Sequence, residues 1–311
     1  MTALICGSMA YDTIMVFPDR FKHHILPEQV HILNVAFLVP ELRREYGGCA
    51  GNIAYNLKLL GGDPRIVATV GKDFGPYQDW LSTLGISKDL IKVIPESYTA
   101  QAYITTDLDD NQITAFHPGA MSFSHENAIP KDPAMGLGLI SPDGKEGMMQ
   151  HAKEFVAQGI PFIFDPGQGM PMFDGEELLS LVEQAHWLTL NDYEAQLMQD
   201  RTGLKAEDLA AKVKALIITK GGQGSWIYTE GRRIEIPPAK PVANRDPTGC
   251  GDAYRAGLVH GILEGYDFET TGRIASLMGA IKVESPGTQN HGFTLQEFNE
   301  RYRENFGSSL R

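Results

Sequence analysis

One stretch of this chain decides the fold, and it reads Asn244-Arg245-Asp246-Pro247-Thr248-Gly249-Cys250-Gly251-Asp252-Ala253-Tyr254-Arg255-Ala256-Gly257. Helix formers with apolar spacing over residues 253–265 predict a helix directly after the glycine turn. The amides of Gly249, Cys250 and Gly251 would then form its unpaired first turn, where free N–H donors and the helix dipole attract anions. The stretch therefore predicts an anion site at a helix N-terminus.

Asp252 would lie beside the bound anion. A carboxylate there is electrostatically disfavoured unless it takes part in chemistry, and accepting a proton from a hydroxyl that attacks a terminal phosphate is the chemistry that fits. The alternative is that Asp252 is a helix N-cap, a position that favours Asp. Arg255 either donates to phosphate through two N–H groups or pairs with an acidic surface residue. Cys250 is either a thiol activated by the helix N-terminus or a small residue filling a tight turn, and we favour the second.

Composition excludes several classes of protein. The chain has 311 residues, of which 42% are hydrophobic and 21% charged, as expected for a folded soluble protein with a sizeable core. The formal net charge of -12 argues against a nucleic-acid-binding or anionic-membrane-binding surface, because either would need clustered Lys and Arg. An anionic nucleotide would therefore be held by local amides and a metal ion.

The N-terminal residues predict a first strand and neither a signal peptide nor a membrane span, since no apolar run approaches ~18 residues. The three cysteines, Cys6, Cys49 and Cys250, lie far apart and show no zinc-binding spacing. We therefore expect a protein of the reducing cytoplasm that binds neither nucleic acid nor membranes.

Apolar strand-like runs alternate with helical stretches, which is typical of an α/β protein with a parallel sheet flanked by helices. The predicted buried strands are Leu4–Cys6, Ile66–Val70, Pro161–Phe164, Trp187–Leu190 and Ala215–Thr219. The predicted helices are Asn52–Leu60, Gly147–Gln158, Glu176–Ala185 and Tyr193–Gln199. Residues of about 13–46 and 97–120 break this pattern with looser alternation of β-branched and aromatic residues, and Asp109-Asp110-Asn111 is a hairpin signal. These two regions predict a small β lid that excludes water during transfer.

A glycine-rich loop, Tyr46-Gly47-Gly48-Cys49-Ala50-Gly51-Asn52, leads into a predicted helix and suits close approach of a ligand to the backbone. Asn52 can both donate and accept hydrogen bonds toward hydroxyls. The alternative is that the glycines serve helix packing and Asn52 is a cap. Asp12 is expected in a loop after the first strand, where ligand-binding side chains of open α/β sheets lie, although an isolated Asp in a loop is also a common turn residue.

Two further polar segments follow buried strands. Asn191-Asp192-Tyr193-Glu194 either organises Mg²⁺ through water around phosphates or caps a helix with acidic residues in its first turn. The glycines of Thr219-Lys220-Gly221-Gly222-Gln223-Gly224 could admit the phosphates of a nucleotide, although hairpins also use such loops. The chain contains neither a P-loop motif nor a dinucleotide-binding fingerprint at its start, so neither of those classes is supported.

Taken together, these motifs resemble the ribokinase (pfkB-type) family of sugar and nucleoside kinases over nearly the whole chain. The Asp-Thr-x-Gly-Ala-Gly-Asp signature of that family corresponds to residues 246–252, with Pro247 and Cys250 as departures. Its double glycine with a following Asn corresponds to Gly47, Gly48 and Asn52. Its Asn-x-x-Glu motif corresponds to Asn191 and Glu194, and its nucleotide loop to Thr219, Gly221 and Gly224.

The resemblance implies one three-layer α/β/α catalytic domain over residues 1–311, with a mainly parallel sheet and a β lid. It implies that Asp252 is the catalytic base, that the amides of Gly249, Cys250 and Gly251 form the anion hole, and that ATP and Mg²⁺ are required. The residues implied for acceptor binding are Asp12, Gly47, Gly48 and Asn52. Those implied for the nucleotide are Asn191, Thr219, Gly221 and Gly224, and Arg255 is added for the phosphate contact considered above. Glu194 would hold Mg²⁺ through water. Family members often bind K⁺ behind the anion hole, for which Asp246, Thr248 and the Ser285–Thr288 loop are candidates.

The acceptor is predicted from two loops. The loop containing Asp165 and Gln168, both candidates for substrate binding, lacks a pattern associated with kinases of fructose and ketodeoxygluconate. Residues 116–121 look like those of bacterial adenosine-kinase-like members, and Met9 and Phe116 would suit a flat base, although both residue types also fill cores. We therefore expect a nucleoside kinase, with a ribokinase or other simple sugar kinase as the alternative. A non-catalytic nucleoside sensor is disfavoured by Asp252. The chain would be a monomer or a homodimer through the lid.

Overall fold

The computed structural model describes residues 2–25, 32, 34–109, 111–132 and 134–310. Within these residues the strands, in chain order, are β1 (Thr2–Cys6), β2 (Ala10–Val16), β3 (Glu41–Gly47), β4 (Asp63–Gly71), β5 (Ile91–Ile94), β6 (Ala100–Thr106), β7 (Gln112–His117), β8 (Met135–Ile140), β9 (Phe162–Phe164), β10 (Trp187–Asn191), β11 (Ala215–Thr219), β12 (Ser225–Thr229) and β13 (Arg232–Ile236). The α-helices are α1 (Cys49–Leu59), α2 (Gly75–Thr83), α3 (Lys145–Gln158), α4 (Gly175–Gln184), α5 (Asp192–Thr202), α6 (Ala206–Ala210), α7 (Cys250–Leu263), α8 (Phe268–Val283) and α9 (Leu295–Phe306).

The main sheet has nine strands in the order β13-β12-β11-β10-β9-β8-β1-β4-β5. Strands β12 and β13 are antiparallel additions at one edge, and the other strands are parallel. All five predicted buried strands lie in this sheet, and each predicted helix overlaps an observed one. The predicted α/β class is therefore confirmed.

Strand β1 shows why the buried strands are continuously apolar. Ala3 and Ile5 pack into the apolar core on one face of the sheet, whereas Leu4 and Cys6 pack into the core on the other face. A parallel strand covered by helices on both faces has no solvent-facing side, so strict alternation of polar and apolar residues is lost.

None of the described helices is long and apolar enough to cross a membrane.

A second sheet of four strands has the order β3-β2-β6-β7. Strand β2 pairs in parallel with β6 and antiparallel with β3, and β6 forms a hairpin with β7. These strands come from the two segments predicted as a lid, of which residues 26–31 and 33 lie outside the described residues, as does Asp110 of the predicted hairpin turn. Its action as a lid over a ligand stays a prediction.

The carboxyl ends of the parallel strands meet at one edge of the main sheet. Strands β1, β9, β10 and β11 end there, at Cys6, Phe164, Asn191 and Thr219, because parallel strands share a direction. Ligands of open α/β sheets bind at this edge. The topology therefore brings together the loops that follow these strands.

Candidate active site

Helix α7 begins at Cys250, three residues before the predicted start. Its N-cap is Gly249, whose φ of +79° lies in the left-handed region that favours glycine. Asp252 is therefore the third residue of the helix and not its cap, so the interpretation of Asp252 as an N-cap is wrong. A carboxylate in the first turn of a helix is favoured by the helix dipole, so its function has to be judged from its partners.

The anion turn, residues 246–252, offers fewer open amides than predicted. The Cys250 N–H donates to the Pro247 carbonyl at 3.1 Å, so this amide does not point into the site as expected. Within the described residues, no hydrogen bond engages the amide of Gly249 or Gly251. These two glycine amides are the donors that an anion at the start of α7 would meet.

The Asp252 carboxylate accepts a hydrogen bond from Asn52 Nδ2 at 2.8 Å, across the contact between α1 and α7. The pKa of Asp252 is raised from 3.8 to about 7, chiefly by burial and also by the nearby Asp165 carboxylate, while the Asn52 hydrogen bond and Arg255 oppose the rise. A base that titrates near neutral pH is suited to accepting a proton. The side chain is partly exposed, so it is accessible to a ligand.

A buried network fixes the Asn52 amide. Its Oδ1 accepts from Gln289 Nε2 at 3.0 Å, which leaves Nδ2 to face Asp252. Gln289 also donates to the Tyr77 hydroxyl at 2.7 Å and accepts from Trp80 Nε1 at 2.9 Å. Sequence reasoning missed Gln289 and Tyr77, because they are distant in sequence and belong to no motif.

Arg255 forms a buried pair with Asp165 that differs from both predicted roles. Its Nε and Nη2 each donate to an Asp165 carboxylate oxygen at 3.0 Å, and Nη2 lies 3.8 Å from Glu194 Oε2. Both side chains are about 5% exposed, so the partner is not a surface residue, and the Asp165 carboxylate assigned to substrate is held by Arg255. Nη1 lies 3.4 Å from the position of a Cβ on Gly251. Arg255 thus links Asp165 and Glu194 to the anion turn.

The residues predicted for the acceptor converge beside Asn52. Asp12 lies within strand β2 and not in a loop as predicted, and its Oδ2 is 2.6 Å from a Cβ built on Gly47, so a larger residue at position 47 would displace the Asp12 carboxylate. Burial, followed by the nearby Glu45, raises the pKa of Asp12 to about 6. Gly48 has a φ of +85° and packs against the backbone of residues 8–10.

Three other acceptor candidates are more dispersed. Met9 is fully buried in the core beside the sheet, so it fills the core, which was the alternative to contact with a base. Phe116 is 49% exposed on strand β7 of the second sheet. Gln168 is exposed in the 3₁₀ turn Gly167–Met172.

A cavity of about 330 Å³ joins the predicted nucleotide loop to the anion turn. Its lining includes Thr219, Gly221 and Gly224 from the loop, and Cys250, Gly251 and Tyr254 from α7. Gly224 has a φ of +87°, and a Cβ there would lie 2.1 Å from the Ile236 carbonyl oxygen. The apolar wall of this cavity is formed by Pro238, Ala239, Ala280 and Val283.

Asn191 and Glu194 form a capping box at the start of α5. The Asn191 side chain accepts from the Glu194 amide, and the Glu194 carboxylate accepts from the Asn191 amide, each at 2.7 Å. Asn191 and Glu194 therefore cap a helix, which is the second of the two roles that the sequence allowed. Burial raises the pKa of Glu194. The described residues contain no group of three or more His, Cys, Asp and Glu side chains placed to hold a metal ion.

The thiols at the site are not activated. Burial raises the pKa of Cys250 to about 11 and that of Cys49 well above its usual value, with Asp252 adding to both. Both thiols are protonated at neutral pH, which agrees with Cys250 as a residue that fills a tight turn.

The expected K⁺ site is occupied by hydrogen-bond donors of the chain. The Asp246 carboxylate accepts from the amides of Thr248 at 2.9 Å and Gly287 at 2.8 Å, and the Asp246 carbonyl accepts from Lys282 Nζ at 2.9 Å. A K⁺ ion needs oxygens that face it, and these oxygens face N–H groups instead. The assignment of Asp246 to K⁺ therefore does not fit the structure, and that of Thr248 stays a prediction.

An anion turn, a carboxylate of near-neutral pKa and a cavity of about 330 Å³ thus lie together at one edge of an α/β sheet. Residues 8–294 match the pfkB family of carbohydrate kinases, and the chain belongs to that family. The predicted family and the predicted class of enzyme, a phosphotransferase with a hydroxyl acceptor, are confirmed.

Individual relatives are similar to this chain over most of its length. A nucleoside kinase from Methanocaldococcus jannaschii is 35% identical over 270 residues, covering 86% of this chain and 89% of the relative. The structure of Burkholderia thailandensis nucleoside kinase in complex with inosine is 50% identical, covers 99% of both chains and superposes with a TM-score of 0.90. The same protein in complex with ADP-inosine gives 51% identity, coverage of 99% and 97%, and a TM-score of 0.88.

Proposed function

We propose that this protein is an ATP-dependent nucleoside kinase that transfers the γ-phosphate to the ribose 5′-hydroxyl of a purine nucleoside. The observation that carries the proposal is the position of Asp252, between the cavity that reaches the anion turn and the Asn52 amide beside the acceptor residues. The named nucleoside kinases among its relatives support the choice of acceptor.

Asp252 acts as the general base. Its pKa of about 7 leaves a large fraction ionised at neutral pH while keeping enough basicity to take the 5′-hydroxyl proton as that oxygen attacks phosphorus. Asn52 donates to one carboxylate oxygen and so orients the other toward the acceptor. Gln289 fixes that orientation, because it donates to Asn52 Oδ1.

The amides of Gly249 and Gly251 receive the negative charge that develops on the transferring phosphoryl group. Their N–H groups are fixed by the left-handed cap and the first turn of α7, so little reorganisation is needed when charge develops. The positive end of the helix dipole acts in the same direction. Arg255 adds a buried guanidinium next to Gly251, and its pairing with Asp165 holds it in place.

ATP lies in the cavity between the Thr219–Gly224 loop and α8, with its base against the apolar wall and its phosphates toward Gly251. Mg²⁺ typically keeps several waters and is held by one or two carboxylates plus substrate phosphates, a pattern that a single carboxylate such as Glu194 fits. Bound in that way, Mg²⁺ would neutralise charge on the β- and γ-phosphates. Glu194 would hold it through water, and the Asn191 amide keeps the carboxylate in position.

The nucleoside lies between the main sheet and the four-stranded sheet. Asp12 accepts hydrogen bonds from the ribose hydroxyls, and its raised pKa reflects a carboxylate held in a poorly solvated pocket. Gly48 lets the start of α1 lie close against the backbone of residues 8–10, beside Asn52. Phe116, half-exposed on β7, offers a ring to the base if the second sheet closes over it.

The test is ADP release from Mg-ATP with adenosine, inosine, guanosine, cytidine, ribose and fructose, each with and without Asp252→Asn. We expect turnover on purine nucleosides, poor turnover on free sugars, and a loss of about 10²- to 10⁴-fold in the variant. Turnover on ribose alone would replace the nucleoside kinase by a sugar kinase. Nucleoside binding without any turnover would identify a sensor.

A further inference from the structure

Lys282 near the C-terminal end of α8 is fully buried, and sequence reasoning passed over it. Its ammonium donates to two main-chain carbonyls, Asp246 O at 2.9 Å and Ser285 O at 3.0 Å. Lysine is almost never fully buried unless it is paired, because removing the charge from water is costly. Burial accordingly lowers the pKa of Lys282.

The ammonium lies directly behind the anion turn. Lys282 Cε is 3.6 Å from the position of a Cβ on Gly249, the residue that caps α7. One of its two acceptors, the Asp246 carbonyl, opens the turn, and the other, the Ser285 carbonyl, belongs to the loop at the end of α8. Lys282 thus ties two loops together at the back of the two open glycine amides.

The surrounding groups complete this arrangement. The Asp246 carboxylate accepts from the amides of Thr248 and Gly287, so it crosslinks the same two loops from its other side. Thr288, which follows Gly287, packs against Gly249, and its hydroxyl donates to the Tyr46 carbonyl at 2.6 Å. Each oxygen of Asp246 therefore has a donor from the chain itself, and the only cation among these groups is the ammonium.

We propose that the Lys282 ammonium serves as a built-in monovalent cation, which holds the anion turn in its reactive shape and adds positive charge behind it. Phosphoryl transfer by this enzyme therefore needs no K⁺. The inference rests on the proposed function. Lys282 is a positioning residue, since it contacts the anion turn and not the transferred phosphate.

The first arm of the test uses the unaltered enzyme. We measure kcat for inosine with Mg-ATP in tetramethylammonium chloride, NaCl and KCl at equal ionic strength. Values within about twofold of one another are expected, because the cation is covalently part of the chain. Activation of tenfold or more by K⁺ over tetramethylammonium would overturn the inference.

The second arm compares Lys282→Met, which keeps the volume without the charge, with Lys282→Ala, which leaves room for a small cation. We expect kcat to fall about tenfold in both, less than the 10²- to 10³-fold loss of a direct oxyanion donor, with the inosine KM within about threefold. Ammonium chloride should restore part of the activity of Lys282→Ala and none of Lys282→Met. A Lys282→Met enzyme that keeps more than half of the original kcat would overturn the inference.

A third arm does not depend on the acceptor. Binding of inorganic triphosphate, measured by calorimetry, should weaken about fivefold in Lys282→Met, and unchanged binding would count against the inference. If the unaltered enzyme phosphorylates no nucleoside but Lys282→Met still weakens triphosphate binding, the proposed function fails and the role of Lys282 stands.

Discussion

Asp252→Asn should lower the turnover by about 10²- to 10⁴-fold and at the same time stabilise the fold. The pKa of Asp252 rises from 3.8 to about 7, chiefly because of burial, so the folded state resists ionisation of this carboxyl group. A difference of about three pH units, at 1.4 kcal/mol for each, corresponds to about 4 kcal/mol. Since the side chain is partly exposed, we expect a gain of about 2 kcal/mol at pH 8.

The sign of the pH dependence follows from linkage. A carboxyl group whose pKa is raised by folding favours the folded state while it is protonated, and this contribution is lost as pH rises from about 4 to about 7. Asparagine cannot ionise and can still accept the hydrogen bond from Asn52. The advantage of the variant should therefore be full above pH 7 and disappear near pH 4.

The assay is urea unfolding of both proteins at pH 8, 6.5 and 5, followed by circular dichroism, with thermal unfolding as a second measure. At pH 8 the variant should gain about 2 kcal/mol and roughly 4 °C in Tm. Asp192→Asn, an exposed substitution in the first turn of α5, is the matched control and should show no such gain. A variant that is less stable than the original at pH 8, or equally favoured at pH 5, would refute this account of Asp252.

Three further results are expected. The kcat/KM for inosine should rise about tenfold per pH unit below pH 7 and level off above it, as Asp252 ionises. Asn52→Ala removes a hydrogen bond that lowers the pKa of Asp252, so it should move the rising part of this pH profile to higher pH. A profile that does not move would contradict the assignment of Asp252 as the base. Arg255→Met should lower the free energy of unfolding by about 3–5 kcal/mol in urea titrations, because it leaves the Asp165 carboxylate buried and unpaired, and a loss below 1 kcal/mol would contradict that reasoning. Gly224→Ala should raise the KM for ATP at least about tenfold with little change in the inosine KM, because its Cβ would clash with the Ile236 carbonyl, and an equal rise in both would contradict the placement of ATP.

Much of the main sheet was predictable from the sequence, because buried parallel strands are short continuous apolar runs bounded by turns. Trp187–Leu190 and Ala215–Thr219 were predicted as strands, and the structure places them side by side as β10 and β11. The start of α7 was predicted three residues late, since glycine and cysteine are poor helix formers and mask the first turn.

The partners of the site residues could not be predicted in the same way. Arg255 and Asp165 are 90 residues apart, and only the meeting of α7 with the end of β9 brings them together. Nothing local to Asp165 distinguishes a ligand-binding carboxylate from one that holds an arginine. Asp12 was expected in a loop because only a short segment joins β1 to β2, and the sequence does not show where that segment ends and β2 begins.

Lys282 is a case in which a local signal was present. It is a single charge among Ala280, Ile281 and Val283 at the end of an apolar helix, just before a glycine loop. A lysine at such a position either extends its ammonium group to solvent or is buried as a cation with a structural or functional role. The choice between the two required the position of Asp246, which lies 36 residues away in the chain.

The most direct test of the central claim is the product formed from inosine and Mg-ATP, identified by mass spectrometry and ³¹P NMR, with 5′-deoxyinosine as the matched acceptor that lacks the attacking hydroxyl. We expect inosine 5′-monophosphate and equimolar ADP, with no phosphorylated product from 5′-deoxyinosine. Phosphorylation of 5′-deoxyinosine, or a phosphate on the 2′- or 3′-oxygen of inosine, would contradict the placement of the acceptor against Asp252.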